Sequence, residues 1–390
     1  MSIAVKISLV VLVALGLLSL KLMMIQNETA AWFHILIGSL LFLGFGLTGL
    51  FFTSIQFLTS AKWSVALRRV MEAMALTLPV AGLLFIVVFF GIHHLFEWSH
   101  PDVVAADAIL KGKAAFLNEH FFGIRLIAYF AIWIGASWIL IRNSFKQDIS
   151  GDASLSRKNF KISAFVLVLF GLSVTLAAFD LLMSLEPHWF STIFGIYFFA
   201  GFFEAGLAML LILTWTLYRS GTLRGFVSRD HFHDITRFIF AFSVFWAYIA
   251  FSQFMLIWYG NLPEETFFYI ERLKNGWQWV SLALLLVRFA IPFLVLLPFG
   301  AKRVFAITIP IAILVIFGEW LDLYWIAIPA MRNLGTEGAA IMPGFGWKEL
   351  SIGLGYISLF LLVIGFIMER IRMVPIKDPR LEASVHYYHH

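Results

Sequence analysis

Long apolar runs recur along this chain, each parted from the next by a short polar break. About 20 apolar residues, wound at about 1.5 Å per residue, cover the roughly 30 Å of a bilayer's hydrocarbon core. The runs predict spans near 3–25, 31–56, 73–93, 122–141, 162–183, 192–218, 238–259, 277–299, 304–328 and 351–368. Lipid offers no partner to a backbone N–H or C=O, so each span must satisfy its own as a helix. The expected fold class is therefore an all-α integral membrane protein of about ten transmembrane helices, with 1–390 forming a single polytopic membrane domain. Composition points the same way. Only 13% of residues are charged, against roughly 25% in soluble domains.

The first run follows Lys6, and no small-x-small cleavage site succeeds it. It reads as a retained span rather than a cleaved signal. Lys and Arg set the expected orientation. The loops after spans two, four, six and eight, with the C-terminal tail, hold about 18 of them, and the opposite loops about seven. By the positive-inside bias both termini are expected in the cytoplasm. The loops near 94–121, 184–191, 260–276 and 329–350 then face outward. The basic residues thus read as topology signals, and no nucleic-acid partner is expected.

Cysteine is absent. That removes Cys-ligated iron–sulfur clusters, covalently attached c-type haem and disulfides. A b-type haem needs histidines deep in facing helices, yet all eleven fall at span ends, in loops or in the tail. His93 and His94 with Glu97 are the one grouping with metal-ligand character, and a rim cluster of this kind is more often solvated. No P-loop, HExxH or GxSxG is present. The expectation is no metal and no cofactor bound by this chain.

Ionisable groups in lipid are costly and turn toward a protein interior or a water path. Glu204 lies midway along span six and Arg288 midway along span eight, while Glu319 and Asp322 share a face of span nine. Two acids on one face suit proton loading and release. Glu204, Arg288, Glu319 and Asp322 are the candidate proton pathway, with Tyr248 and Gln253 of span seven as neutral relays. Arg69 and Glu72, at the cytoplasmic entry of span three, join the candidates. The plain structural alternative is ion pairing, Arg288 with a Glu and Arg125 with an Asp, that fixes helix packing. Asp180, Glu186 and His188 stand close together at the outer end of span five, beside Pro187-His188-Trp189, with Arg125 in span four. Pro263-Glu264-Glu265-Thr266 suits the first turn of a short helix and a docking point for a partner outside the membrane.

Four stretches carry a family resemblance: Phe179–Thr192 (FDLLMSLEPHWFST) leading into Gly195 and Tyr197, Phe251–Thr266 (FSQFMLIWYGNLPEET), Trp63–Ala73 (WSVALRRVMEA) and Phe121–Arg125 (FFGIR). Together they resemble the NrfD-like, polysulfide-reductase-type membrane subunits of alternative complex III, a quinol-oxidising respiratory complex. The last two stretches point to the smaller, ActF type of subunit. The resemblance implies ten helices arranged as two four-helix bundles plus two peripheral helices, in a bacterial inner (cytoplasmic) membrane. It implies as partners a second NrfD-like membrane subunit, an iron–sulfur protein and multihaem cytochrome c subunits, besides lipids. Haem c and iron–sulfur clusters would lie in those partners. Quinone or quinol is the small molecule the resemblance implies, with Asp180, Glu186, His188 and Arg125 as candidates for its headgroup: one group would hydrogen-bond a hydroxyl and another accept its proton. A tight turn shaped by Pro187-His188-Trp189 is the alternative. The family's quinol site is attributed mainly to the larger subunit. Two other classes remain open from the residues alone. A standalone proton-coupled secondary transporter would use helices broken in matched positions; Pro292 and Pro310 interrupt spans eight and nine without a matched pair elsewhere. A purely structural anchor would use its buried charges for assembly only.

Overall fold

The computed structural model describes residues 1–334 and 342–388. Part of the loop expected over 329–350 lies outside the described residues, as do His389 and His390 of the tail. Among the described residues ten helices are long and apolar enough to cross a membrane: Ile3–Gln26, Glu28–Leu58, Trp63–Phe90, Glu119–Ser150, Ser154–Leu185, Phe194–Arg219, Arg229–Gly260, Trp277–Leu296, Phe305–Leu334 and Trp347–Met368. They are spans one to ten below. Several run further than the apolar stretches alone indicate, because capped polar turns extend beyond the hydrocarbon.

Local chemistry sets the helix ends. Asn27 separates spans one and two by a single extended residue, and its side chain accepts from the Ala30 N–H at 3.0 Å. Asn118 caps span four in the same way, through the Phe121 N–H at 2.9 Å. Gly151 ends span four in the left-handed region at φ 74°, where the absence of a Cβ removes the steric cost. Span three is broken after Ala75, and its second helix, Leu78–Phe90, carries Pro79 in the first turn, where a missing N–H is harmless. Span eight holds a π-helical turn at Leu285–Ala290. Pro292 explains it: the ring has no N–H for the carbonyl of Arg288, four residues earlier, and clashes with it. The ladder widens instead, and the Ile291 N–H bonds to Leu286 O.

Packing divides the spans into three groups. Spans two to five pack on one another, and so do spans six to nine; spans one and ten pair and lean on span two. This is the arrangement of two four-helix bundles and two peripheral helices. Spans two and six stand back to back where the bundles meet. A Cβ on Gly206 would stand 2.0 Å from Thr48 Oγ1, so only glycine lets the two backbones approach this closely. Thr48 answers its own polarity by bonding Gly44 O at 2.8 Å and Phe202 O at 3.2 Å.

Both chain ends lie on one face, the terminal face. The N-terminal amine and Lys6 Nζ each reach Glu369 at 2.8 Å, clamping the start of span one to the end of span ten. The tail then crosses the same face. Asp378 pairs with Arg68. Ser384 Oγ accepts from the Ala66 N–H at 3.1 Å and donates to Trp63 O at 2.6 Å. Tyr387 donates to Asp234 at 2.7 Å. The opposite, distal face carries the short helices between spans three and four and the helix Pro263–Glu271, which starts at its proline.

Candidate functional site

The π-helical turn aims Arg288 into the middle of the second bundle, where it is fully buried. Its Nη2 donates to Glu204 Oε2 at 2.9 Å and to Gly201 O at 3.1 Å. Its Nη1 pairs with Glu319 and lies 3.7 Å from Asp322 Oδ2. Glu204 comes from span six and the other two acids from span nine. Asp322 also accepts from Tyr197 OH at 2.5 Å and from Trp246 Nε1 at 3.0 Å. The Trp246 ring lies 4.7 Å from the guanidinium carbon, a cation–π contact. Two glycines make room: a Cβ on Gly201 would stand 2.8 Å from Glu319 Oε2, and one on Gly318 2.8 Å from Arg288 Cγ. Glu204 Oε1 and Arg288 Nε have no hydrogen-bond partner among the described residues.

One guanidinium is therefore shared by three carboxyls inside a low-dielectric bundle. Three ionised acids would leave two uncompensated negative charges, a cost no apolar bundle sustains. Arg288 alone can balance one ionised carboxylate of the three.

The remaining predicted residues divide. Gln253 is buried but bonds elsewhere, accepting from Ser191 Oγ at 3.1 Å and donating to Tyr269 OH at 3.0 Å. Tyr248 does not join the relay expected of it. It is 64% exposed on the outer face of span seven. Residues five apart on a helix stand about 140° apart, so with Gln253 turned inward Tyr248 faces away. Arg69 and Glu72 do pair, at 2.5 Å, but in the first bundle near the terminal face. There Arg69 also bonds Ser144 O at 3.2 Å and pairs with Asp148.

The quinone candidates do not form one cluster. Asp180 is held by Arg125 through two bonds of 2.8 Å and by Tyr129 OH at 2.6 Å. Glu186 is held by Arg272 at 2.8 Å and Arg332 at 3.1 Å. His188 turns to Asp107, 2.6 Å away across the distal face. Asp107 sits below the usual carboxylate range because the Leu110 N–H, then His188, bond it. Asp180 thus has one arginine, Glu186 two others, and His188 a carboxylate. His93 and His94 face Glu119 and Glu28 at 3.7 and 3.3 Å rather than gathering with Glu97.

Sequence reasoning did not assign Tyr197, Trp246, Asp148, Arg272 or Arg332 to these sites. Tyr197 had a usable signal: it lies seven residues, two turns, before Glu204 and so on the same face. Nothing in the order of residues marks Trp246 or the arginines, whose partners are far away in the chain.

These features define the class: an all-α membrane protein of paired four-helix bundles, with a shared guanidinium–carboxyl centre in one of them. No family model matches the chain, and no curated protein matches it.

Proposed function

We propose that this chain is a membrane subunit of a respiratory quinol-oxidising complex, of the ActF type in alternative complex III, and that its second bundle handles protons. The observation that carries the reading is the sharing of Arg288 by Glu204, Glu319 and Asp322. A lone ion pair is saturated, but a guanidinium facing three carboxyls has near-equivalent charge arrangements. A proton arriving on one acid releases Arg288 to its neighbour, and Tyr197 holds a proton at Asp322. The four stretches quoted above and the two-bundle packing favour the family. In this reading the chain sits in a bacterial inner membrane with both termini in the cytoplasm. A second NrfD-like subunit, an iron–sulfur protein and multihaem cytochromes c accompany it and carry the electrons. In this reading Glu186 and His188, at the distal face, would receive protons from quinol oxidised in a neighbouring subunit.

The test uses Glu204→Gln, Glu319→Gln and Asp322→Asn singly in the intact complex, reconstituted in proteoliposomes. Each variant is expected to assemble, to turn over more slowly and to carry fewer protons per electron. Normal turnover and stoichiometry in all three would sink the proposal. Lost assembly, with normal stoichiometry in whatever assembles, would favour the anchor reading. A chain that purifies alone, without haem proteins, would favour the transporter.

A further inference from the structure

An apolar groove of about 710 Å³ runs between spans six, nine and ten. Ile313, Phe317 and Leu354 on its walls are 40–58% exposed, so it opens sideways to the bilayer. Its wall along span nine runs over the 12 residues from Ile309 to Trp320, about 16 Å, the reach of much of an acyl chain. Trp320 closes the deep end, its indole nitrogen 2.7 Å from where a Cβ on Gly353 would stand. The other end is not apolar. Trp215 lines it one turn from the end of span six, with its indole N–H buried and unpartnered. The Arg219 guanidinium lies 5.6 Å from the Trp215 ring, is exposed, and has no carboxylate partner among the described residues.

We propose that this groove seats one acidic phospholipid. The order of groups matches such a molecule end to end. Arg219 at the headgroup level meets the phosphate, the Trp215 N–H donates to a glycerol ester carbonyl, and the chain lies along Ile313, Phe317 and Ile357 toward Trp320. Trp and Arg at the interface are ordinary headgroup anchors, and a basic mouth between helices favours anionic lipid. The bound chain fills the gap between span ten and the second bundle, so it acts as a wedge holding the peripheral pair in place. A zwitterionic lipid satisfies the groove but not the uncompensated Arg219.

Native mass spectrometry of the full-length protein, purified with its accompanying subunits, tests this. The probes are palmitoyl-oleoyl-phosphatidylglycerol and the phosphatidylcholine of the same chains. One phosphatidylglycerol is expected to be retained, with about fivefold preference over phosphatidylcholine. Arg219→Gln should erase that preference. Trp215→Phe should weaken retention of both lipids, and Ile313→Trp, which fills the groove, should abolish it. Equal retention of the two lipids, retention indifferent to Arg219→Gln, or a prenyl quinone as the molecule held there, overturns the proposal. Arg219 is at the surface, so that variant decides even where Ile313→Trp does not fold.

Discussion

Arg125 and Arg288 are both buried cations between helices, and they differ in stoichiometry. Arg125 meets a single acid, Asp180, in a two-bond fork supported by Tyr129. Such a pair locks spans four and five and has nowhere else to go. Asp180→Asn should destabilise the protein by about 3–5 kcal/mol, because it strands the guanidinium, while Arg125→Gln with Asp180→Asn should cost less than the single change. Thermal unfolding in detergent measures both. Gly201 is the other decisive residue. Gly201→Ala places a methyl 2.8 Å from Glu319 Oε2 and 3.5 Å from Arg288 Nη2, so the Glu319 carboxyl must move. The expected cost is about 1–3 kcal/mol, with a shifted carboxyl band in the infrared spectrum as the local readout.

At the scale of elements, ionic clamps outside the membrane hold the peripheral pieces. The bonds from Lys6 and then the N-terminal amine hold the Glu369 carboxyl down at about 2. A depressed carboxylate contributes above its unfolded value of 4.5 and loses that contribution as pH falls toward about 2. Hydrogen-exchange protection factors at residues 3–8, which divide out the intrinsic pH dependence of exchange, should therefore fall across that window and stay flat from pH 5 to 8. High salt should mimic the effect in part, since the clamp is exposed. The tail has a firmer hold. Burial works against the charge of Asp378, but Arg68 outweighs it, and the carboxyl ends below its ordinary range. Asp378→Asn should free the tail by stranding Arg68, and limited proteolysis after residue 370 reports the release. Span eight owes its irregularity to Pro292, and that irregularity is what turns Arg288 inward. An ordinary α-helix would set the residues before the turn in a different register.

At the scale of the molecule, an even number of spans places both ends on one face, and the proposed reading, on the excess of Lys and Arg there, sets that face in the cytoplasm. Protease-cleavable tags at either terminus should resist external protease in intact spheroplasts and yield after lysis. Cleavage of either tag from outside refutes the orientation.

Chain order alone determined the number of helices, their approximate ends and the burial of Glu204, Arg288, Glu319 and Asp322. Hydropathy has a length scale that the bilayer sets, and a charge in an apolar run has few places to point. The pairing of Glu319 with Asp322 was equally visible, since three residues is one helical turn. Partner choice was not visible. That Arg288 rather than Arg272 meets Glu204, that Tyr248 looks outward, and that Asp180, Glu186 and His188 each answer to different partners, depend on how helices far apart in sequence rotate against one another. Those rotations are set by close contacts such as Gly206 on Thr48 and by the widened turn before Pro292. Only the packed bundle, in which every buried charge must find a partner, decides them.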